Sequence, residues 1–402
     1  NRMKKFLTVL LVLVMLMGIV CIASASEAGK LLIWCDEARA PVLDEVGKEF
    51  TAKYNVPVEV QEVDFGEIRS KLTTAGPAGE GADLIIGPHD WIGELIESGL
   101  LEPISLFTEL RSKFVPVSLE AFTYGGKLYG LPYATESVAL FYNKDLVIEP
   151  PKTFEELITM AKELTNREEG RYGFLIQMPD PYHSFPLLSA TGGYIFGKNP
   201  DGTTNPLDIG LANEGAIRGA NLLLRLVKEG IEVPGADYQT VIGLFNEDKL
   251  AMMIAGPWVI GGIKEAGINY GIAKIPTIDG QVAKPFVGVQ GFMISAFSEN
   301  KILTRTFLTE FIATKDVMLK LYERATRPPA FIPALEEVSA NPDIRGIAIS
   351  AADGIPMPKI PEMASVWGAW SDALELIVNQ KLEPDQAMKN AAEQIKKTIM
   401  GE

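Results

Sequence analysis

The sequence predicts an α/β protein of two lobes, each a mostly parallel sheet flanked by helices, and three observations carry that prediction. The chain has 402 residues, more than one ordinary hydrophobic core accommodates. After an apolar leader, its first segments alternate in β-α-β-α-β order, the pattern of a sheet covered by helices on both faces. No repeat of fixed period, low-complexity stretch or flexible linker interrupts it, so the lobes would be joined by several passages of the chain.

Lys30 to Cys35 reads as a buried strand. Pro41 opens a helix whose Val42, Leu43, Val46 and Phe50 share one face. Val56 to Glu62 alternates as a second strand, Gly66 to Ala75 is helical, and Ala82 to Ile86 is a third strand. Asp90 can cap the helix that carries Trp91 to Ser98. Lys127 to Pro132 and Val138 to Tyr142 are strand-like, with Tyr133 to Ser137 between them. Thr153 and Glu156 form a capping box before a helix. Tyr172 to Gln177 is a strand, Tyr182 starts a helix, and 212–229 and 237–246 are helical. Leu250 to Ala255 is an unbroken apolar run that suits a buried strand. Gly256-Pro257 breaks it and delivers Trp258 to the mouth of a helix, where ligands bind in open α/β sheets. Tyr270 to Lys274 and Val287 to Ser295 follow as strands, and from Asn300 the pattern is mostly helical, ending in 361–379 and 384–400.

The first residues read as an address. Arg2, Lys4 and Lys5 form a basic start, Phe6 to Ile22 is an apolar run broken only by Thr8 and Gly18, and Ala23-Ser24-Ala25 is an A-x-A cleavage site. Residues 1–25 are expected to be a cleaved signal peptide that sends the protein to the periplasm. Val20 stands where a lipidation signal requires a small residue, which argues against a lipid anchor at Cys21. Cleavage leaves Cys35 as the one cysteine, so no internal disulfide forms. The net charge of −15 argues against nucleic acid as a partner. The two histidines, His89 and His183, lack metal spacing, and no phosphate or dinucleotide fingerprint is present, so neither metal nor cofactor is expected.

Aromatic residues recur beside carboxylates: Asp90 precedes Trp91, Glu136 follows Tyr133, and Asp180 precedes Tyr182. Each aromatic alone is more often core packing than a binding group. The mixture is what a sugar requires. A pyranose has an apolar C–H face that stacks on a ring and an edge of hydroxyls that donate to carboxylates. Asp90, Glu136 and Asp180 could also supply a glycosidase acid and base, whose separation no sequence fixes.

Several segments carry a family resemblance in order and spacing: Gly29–Trp34 (GKLLIW), Glu45–Phe50 (EVGKEF), His89-Asp90, Ser98–Glu102 (SGLLE) and Tyr142–Leu146 (YNKDL). It continues in Thr191–Tyr194 (TGGY), Gly256–Trp258 (GPW), Lys284–Val289 (KPFVGV) and Met357–Pro361 (MPKIP). Together they resemble the maltose/maltodextrin-binding receptors of carbohydrate ABC importers over essentially the whole mature chain. The resemblance implies the two-lobed periplasmic-binding-protein fold, with sugar in a cleft between lobes. It places chain crossings near 134–137, 287–291 and 341–343. The lobes are then expected at 26–135 with 290–341, and at 136–289 with 342–402. Trp258, Trp367 and Tyr182 match stacking aromatics, Glu136 and Asp180 hydroxyl-binding acids, and Asp90 a family acid. Asp180 is shorter than the Glu of the familiar enterobacterial receptor. Arg39 stands where that receptor has a Lys, with Asp36 and Glu37 beside it, while Tyr238, Met357 and Glu67 match peripheral contacts. Gly87 replaces a stacking Trp, Trp91 an Arg and Ser371 another Arg, so an aromatic has moved four residues along the chain. The implied function is a non-enzymatic, monomeric receptor that binds maltose or maltotriose, closes, and docks on the membrane subunits of an importer. Another disaccharide such as trehalose is the alternative ligand, and a secreted glycosidase the alternative class.

Overall fold

A computed structural model describes residues 29–402. The expected signal peptide lies outside the described residues. Among them, no helix is long and apolar enough to cross a membrane.

Three hydrophobic cores organise the described residues. One gathers side chains from 31–134 and 289–334. Two others lie on opposite faces of a second sheet and draw on 138–286 and 347–395. The chain passes between these bodies where Leu131–Ser137 runs on into Ala139–Asn143, and again within the long strand Phe286–Ser295. These two strands lie side by side, antiparallel, with Val287 opposite Ser137 and Gln290 opposite Ala134. A third passage follows helix Ile332–Val338. There the side chain of Asn341 caps helix Pro342–Ala351 and donates to the Tyr322 hydroxyl at 2.7 Å.

The first sheet has seven strands in the order Ile355–Pro356, Phe286–Ser295, Leu84–Pro88, Leu31–Cys35, Val58–Glu62, with Leu101–Glu102 and Leu131–Ser137 also on the long strand. The three strands read from β-α alternation are parallel, as helix crossovers require. The long strand is antiparallel to Leu84–Pro88 because it enters from the other body without a crossover helix. The second sheet, Tyr270–Ala273, Ala139–Asn143, Leu250–Ala255, Tyr172–Ile176, has one parallel pair and two antiparallel ones. The expectation of mostly parallel sheets is thereby corrected: both are mixed, since strands that pass between bodies arrive in either direction.

The Thr153–Glu156 capping box forms in both directions. Tyr133–Ser137 is strand, part of Leu131–Ser137, while Lys127–Leu128 belongs to a separate two-stranded hairpin. Asp90 makes no cap. It lies in a tight turn, His89–Trp91, ahead of helix Ile92–Glu97, and its carboxylate points elsewhere. Cys35 is buried and free.

Candidate ligand-binding site

One wall of the candidate site is aromatic. Leu250–Ala255 is buried along its length, and the turn Pro257–Val259 turns Trp258 out at its end. Gly256 is required there, because a Cβ on it would fall 2.1 Å from the Trp258 ring. Trp258 stays half-buried, packed against both cores of the second body. Tyr182 lies 6.2 Å from it between ring centroids and His183 5.8 Å. Phe286 stacks on Phe185 at 3.7 Å and lies 5.9 Å from Tyr182 and 6.0 Å from Trp367. The rings thus come from the start of one helix, the start of another, a turn and the long strand.

Asp180 serves this wall as a cap. One of its oxygens accepts from the backbone N–H and ring Nδ1 of His183, each at 2.8 Å, and the other from Gln177 at 3.2 Å. Burial pushes its carboxyl up, but His183 outweighs that and holds it below the usual range.

The other wall is charged, and its charges are paired. Arg39, 1% exposed, binds Asp36, donates from Nε to the Tyr133 hydroxyl at 2.5 Å, and reaches Gln290 at 3.5 Å. Gln290 donates to Glu136 at 2.8 Å, and Glu136 accepts from Arg327 Nε at 2.5 Å. Both buried guanidinium groups therefore have a carboxylate partner, as burial of charge requires.

Asp90 differs. It is 5% exposed, its Oδ2 accepts from Trp367 Nε1 at 3.1 Å, and its Oδ1 has no hydrogen-bond partner among the described residues. Burial pushes its carboxyl up to about 6. The Tyr182 hydroxyl is buried and unpartnered likewise, and burial raises its pKa well above the ordinary phenol value. Buried polar atoms are rarely left without partners, which makes these two candidates for contact with the polar groups of a ligand. Its neighbour His89 is different in kind. Nδ1 accepts from the Val289 N–H and Nε2 donates to the Met357 carbonyl, both at 3.1 Å, which requires the neutral ring. Burial lowers its pKa to about 4, in keeping with that tautomer.

Of the residues singled out from sequence, Asp36, Arg39, Asp90, Glu136, Tyr182, Trp258 and Trp367 come together here through these contacts. Trp91 is buried beside them, 5.5 Å from Phe65 and 6.0 Å from the Arg69 guanidinium. A Cβ on Gly87 would fall 2.2 Å from the Trp91 ring, so Trp91 fills the space that a side chain at 87 would take. Tyr238 is half-buried near Trp258, and burial raises its pKa. Met357 is buried in a core. Glu37 and Glu67 are exposed and make no side-chain hydrogen bond or ion pair among the described residues. Sequence reasoning missed Arg327, Gln290 and Phe286. An available signal for Arg327 was a charge set before Pro328-Pro329-Ala330-Phe331, an otherwise apolar stretch.

The model of the family described as bacterial extracellular solute-binding protein matches residues 45–347. This chain belongs to that family. As a solute-binding protein it is 34% identical, over 94% of its length and 91% of the relative, to the galactooligosaccharide-binding protein of Bacillus subtilis (strain 168). It is 33% identical, over 93% of its length and 83% of the relative, to the maltotriose-binding protein of Pyrococcus abyssi (strain GE5 / Orsay). The solved structure of the Thermus thermophilus maltotriose-binding protein bound with maltotriose is 34% identical, with a TM-score of 0.87 over 92% of this chain and 100% of that one. The solute-binding protein has that structure's two-lobed α/β fold.

Proposed function

We propose that this chain is an extracytoplasmic receptor that binds maltose- to maltotriose-sized α-glucosides between its lobes, closes on them and delivers them to an ABC importer. The observation that carries this reading is the aromatic wall joined through Trp367 to Asp90, whose Oδ1 is buried and without a partner among the described residues. Rings accept sugar faces, and a buried carboxylate oxygen accepts a hydroxyl. Arg39 and Arg327 already have carboxylate partners, which favours a neutral sugar over an anionic one. The names of the Pyrococcus and Thermus relatives support the same ligand class. The lobe boundaries that suit this reading are 26–135 with 290–341, and 136–289 with 342–402, in keeping with the three cores. The receptor is a periplasmic monomer without enzymatic activity, exported by residues 1–25, with the mature chain beginning at Ser26.

Calorimetric titration against maltose, maltotriose, trehalose and a β-galactooligosaccharide tests the ligand. Heat with maltose and maltotriose supports the reading, and heat with trehalose alone would replace the ligand. The Bacillus relative favours the β-galactooligosaccharide as the second reading, and heat with that sugar alone would replace the first. Release of glucose from maltotriose would overturn the receptor assignment in favour of a glycosidase. Intact mass of the exported protein checks the start at Ser26, and a lipid-modified Cys21 would refute it.

A further inference from the structure

Arg327 is launched by an unusual piece of backbone. Helix Lys315–Ala325 ends at Thr326, a buried β-branched residue held at φ 49°, in the left-handed region that favours glycine. Residues held there cost energy and persist where the surroundings require them. The next residues are tied along the strand between the lobes: Thr135 N–H donates to the Pro328 carbonyl and Ala330 N–H to the Tyr133 carbonyl, both at 2.8 Å. Arg327 is therefore fixed at the junction. Its Nε donates to Glu136, and its guanidinium carbon lies 5.5 Å from the centroid of Trp258, which packs in the other lobe.

We infer that Arg327 is a positioning residue for the sugar site, reaching from its own lobe to hold Trp258 and Glu136 in one register at the lobe junction. This inference rests on the sugar-receptor reading above. A carboxylate alone sets no ring orientation, and a ring alone sets no charge. A planar guanidinium does both: it binds the carboxylate through its edge and lies against the indole through its face. Glu136 is further held by Gln290, so Trp258 and Glu136 are both tied to side chains of the other lobe, Arg327 and Gln290. An ammonium keeps the charge and loses the planar face.

Arg327→Lys tests this, since Glu136 keeps a cation. The parent is titrated first with maltotriose, and absence of binding there refutes the receptor reading alone. Where the parent binds, Arg327→Lys should weaken maltotriose about tenfold, through loss of the planar guanidinium's packing on the indole. The indole emission of the protein without sugar should also change, which a remote structural effect would not produce. In a Trp258→Leu background the same Lys substitution should cost no more than about twofold, because its partner ring is gone. An affinity within about twofold of the parent, with unchanged emission, overturns the inference, and so do multiplicative losses in the double variant. Should Arg327→Lys fail to fold, Arg327→Gln combined with Glu136→Gln removes both charges and leaves neither orphaned. Parent-like affinity in that folded pair would overturn the inference, and a loss with altered emission would support it.

Discussion

The two walls of the site are built on opposite plans. The wall of Tyr182, Trp258, Phe286 and Trp367 presents rings and little charge, and its one acid, Asp180, is consumed in capping a helix. The wall of Asp36, Arg39, Glu136 and Arg327 is charged, but its cations and anions answer one another. Among the described residues of the two walls, Asp90 and Tyr182 each keep a buried oxygen without a partner. The contrast teaches that charge count is a poor guide to ligand contact. On the proposed function, groups paired before a ligand arrives set geometry, and the binding energy would fall to the rings and to the unpartnered oxygens. In the proposed receptor a ligand would drive closure only by touching both walls.

The largest test of this division removes a ring. Trp258→Ala should weaken maltotriose by about 2–4 kcal/mol, or roughly 30- to 1,000-fold. Melting temperature without sugar must be measured alongside. A destabilised variant of normal affinity would make Trp258 a core residue instead. Removing the unpaired acceptor should cost less: Asp90→Asn is expected to lose about 1.5–3 kcal/mol, roughly ten- to a hundredfold in calorimetry. If Asp180→Asn were to weaken sugar as much without lowering the melting temperature, the assignment of Asp180 to capping would fail.

A third test concerns packing. Gly87→Ala places a methyl against the Trp91 ring and should destabilise the protein by about 1–3 kcal/mol. In a Trp91→Ala background the same substitution should cost little, because the ring that its methyl meets is gone, and additive losses in the thermal melts would contradict the shared space.

The smallest effect is in pH. With its pKa raised from 3.8 to about 6, Asp90 binds a proton more tightly folded than unfolded. Its contribution to stability is therefore greatest below about 4 and is lost as pH rises through about 6. A hydroxyl donating to Oδ1 favours the ionised form, so affinity runs the other way and should fall by up to about tenfold from pH 7 to 5. His89, lowered to about 4, stays neutral through this range. In Asp90→Asn the affinity should be flat between those pH values. A slope that survives the substitution would assign the titration to another group.

Much of this was legible in the chain itself. The strand Leu250–Ala255 and the Gly-Pro break behind Trp258 are local signals, and so is the Thr153 capping box. Gly87 and Trp91, four residues apart, could be read as an exchange of one aromatic position for another, and the ring does occupy the space over Gly87. Asp90 was legible as an acid beside an aromatic, but its capping role was misread, because a cap depends on backbone angles that a turn of His89–Trp91 altered. Strand direction in the shared sheet was misread for a related reason. Alternation of strand and helix predicts crossovers, and the long strand arrives without one.

What the sequence by itself determined was the set of elements, the ring-and-carboxylate composition of the site and the family. Those depend on periodicity, turn chemistry and neighbours a few residues apart. Only the tertiary structure decided which charges are available to a ligand. Glu136 meets its Arg327 partner across 191 residues of chain, and Asp90 meets Trp367 across 277. Pairing and desolvation are properties of the space around a group, and that space is assembled from segments whose nearness no local pattern encodes.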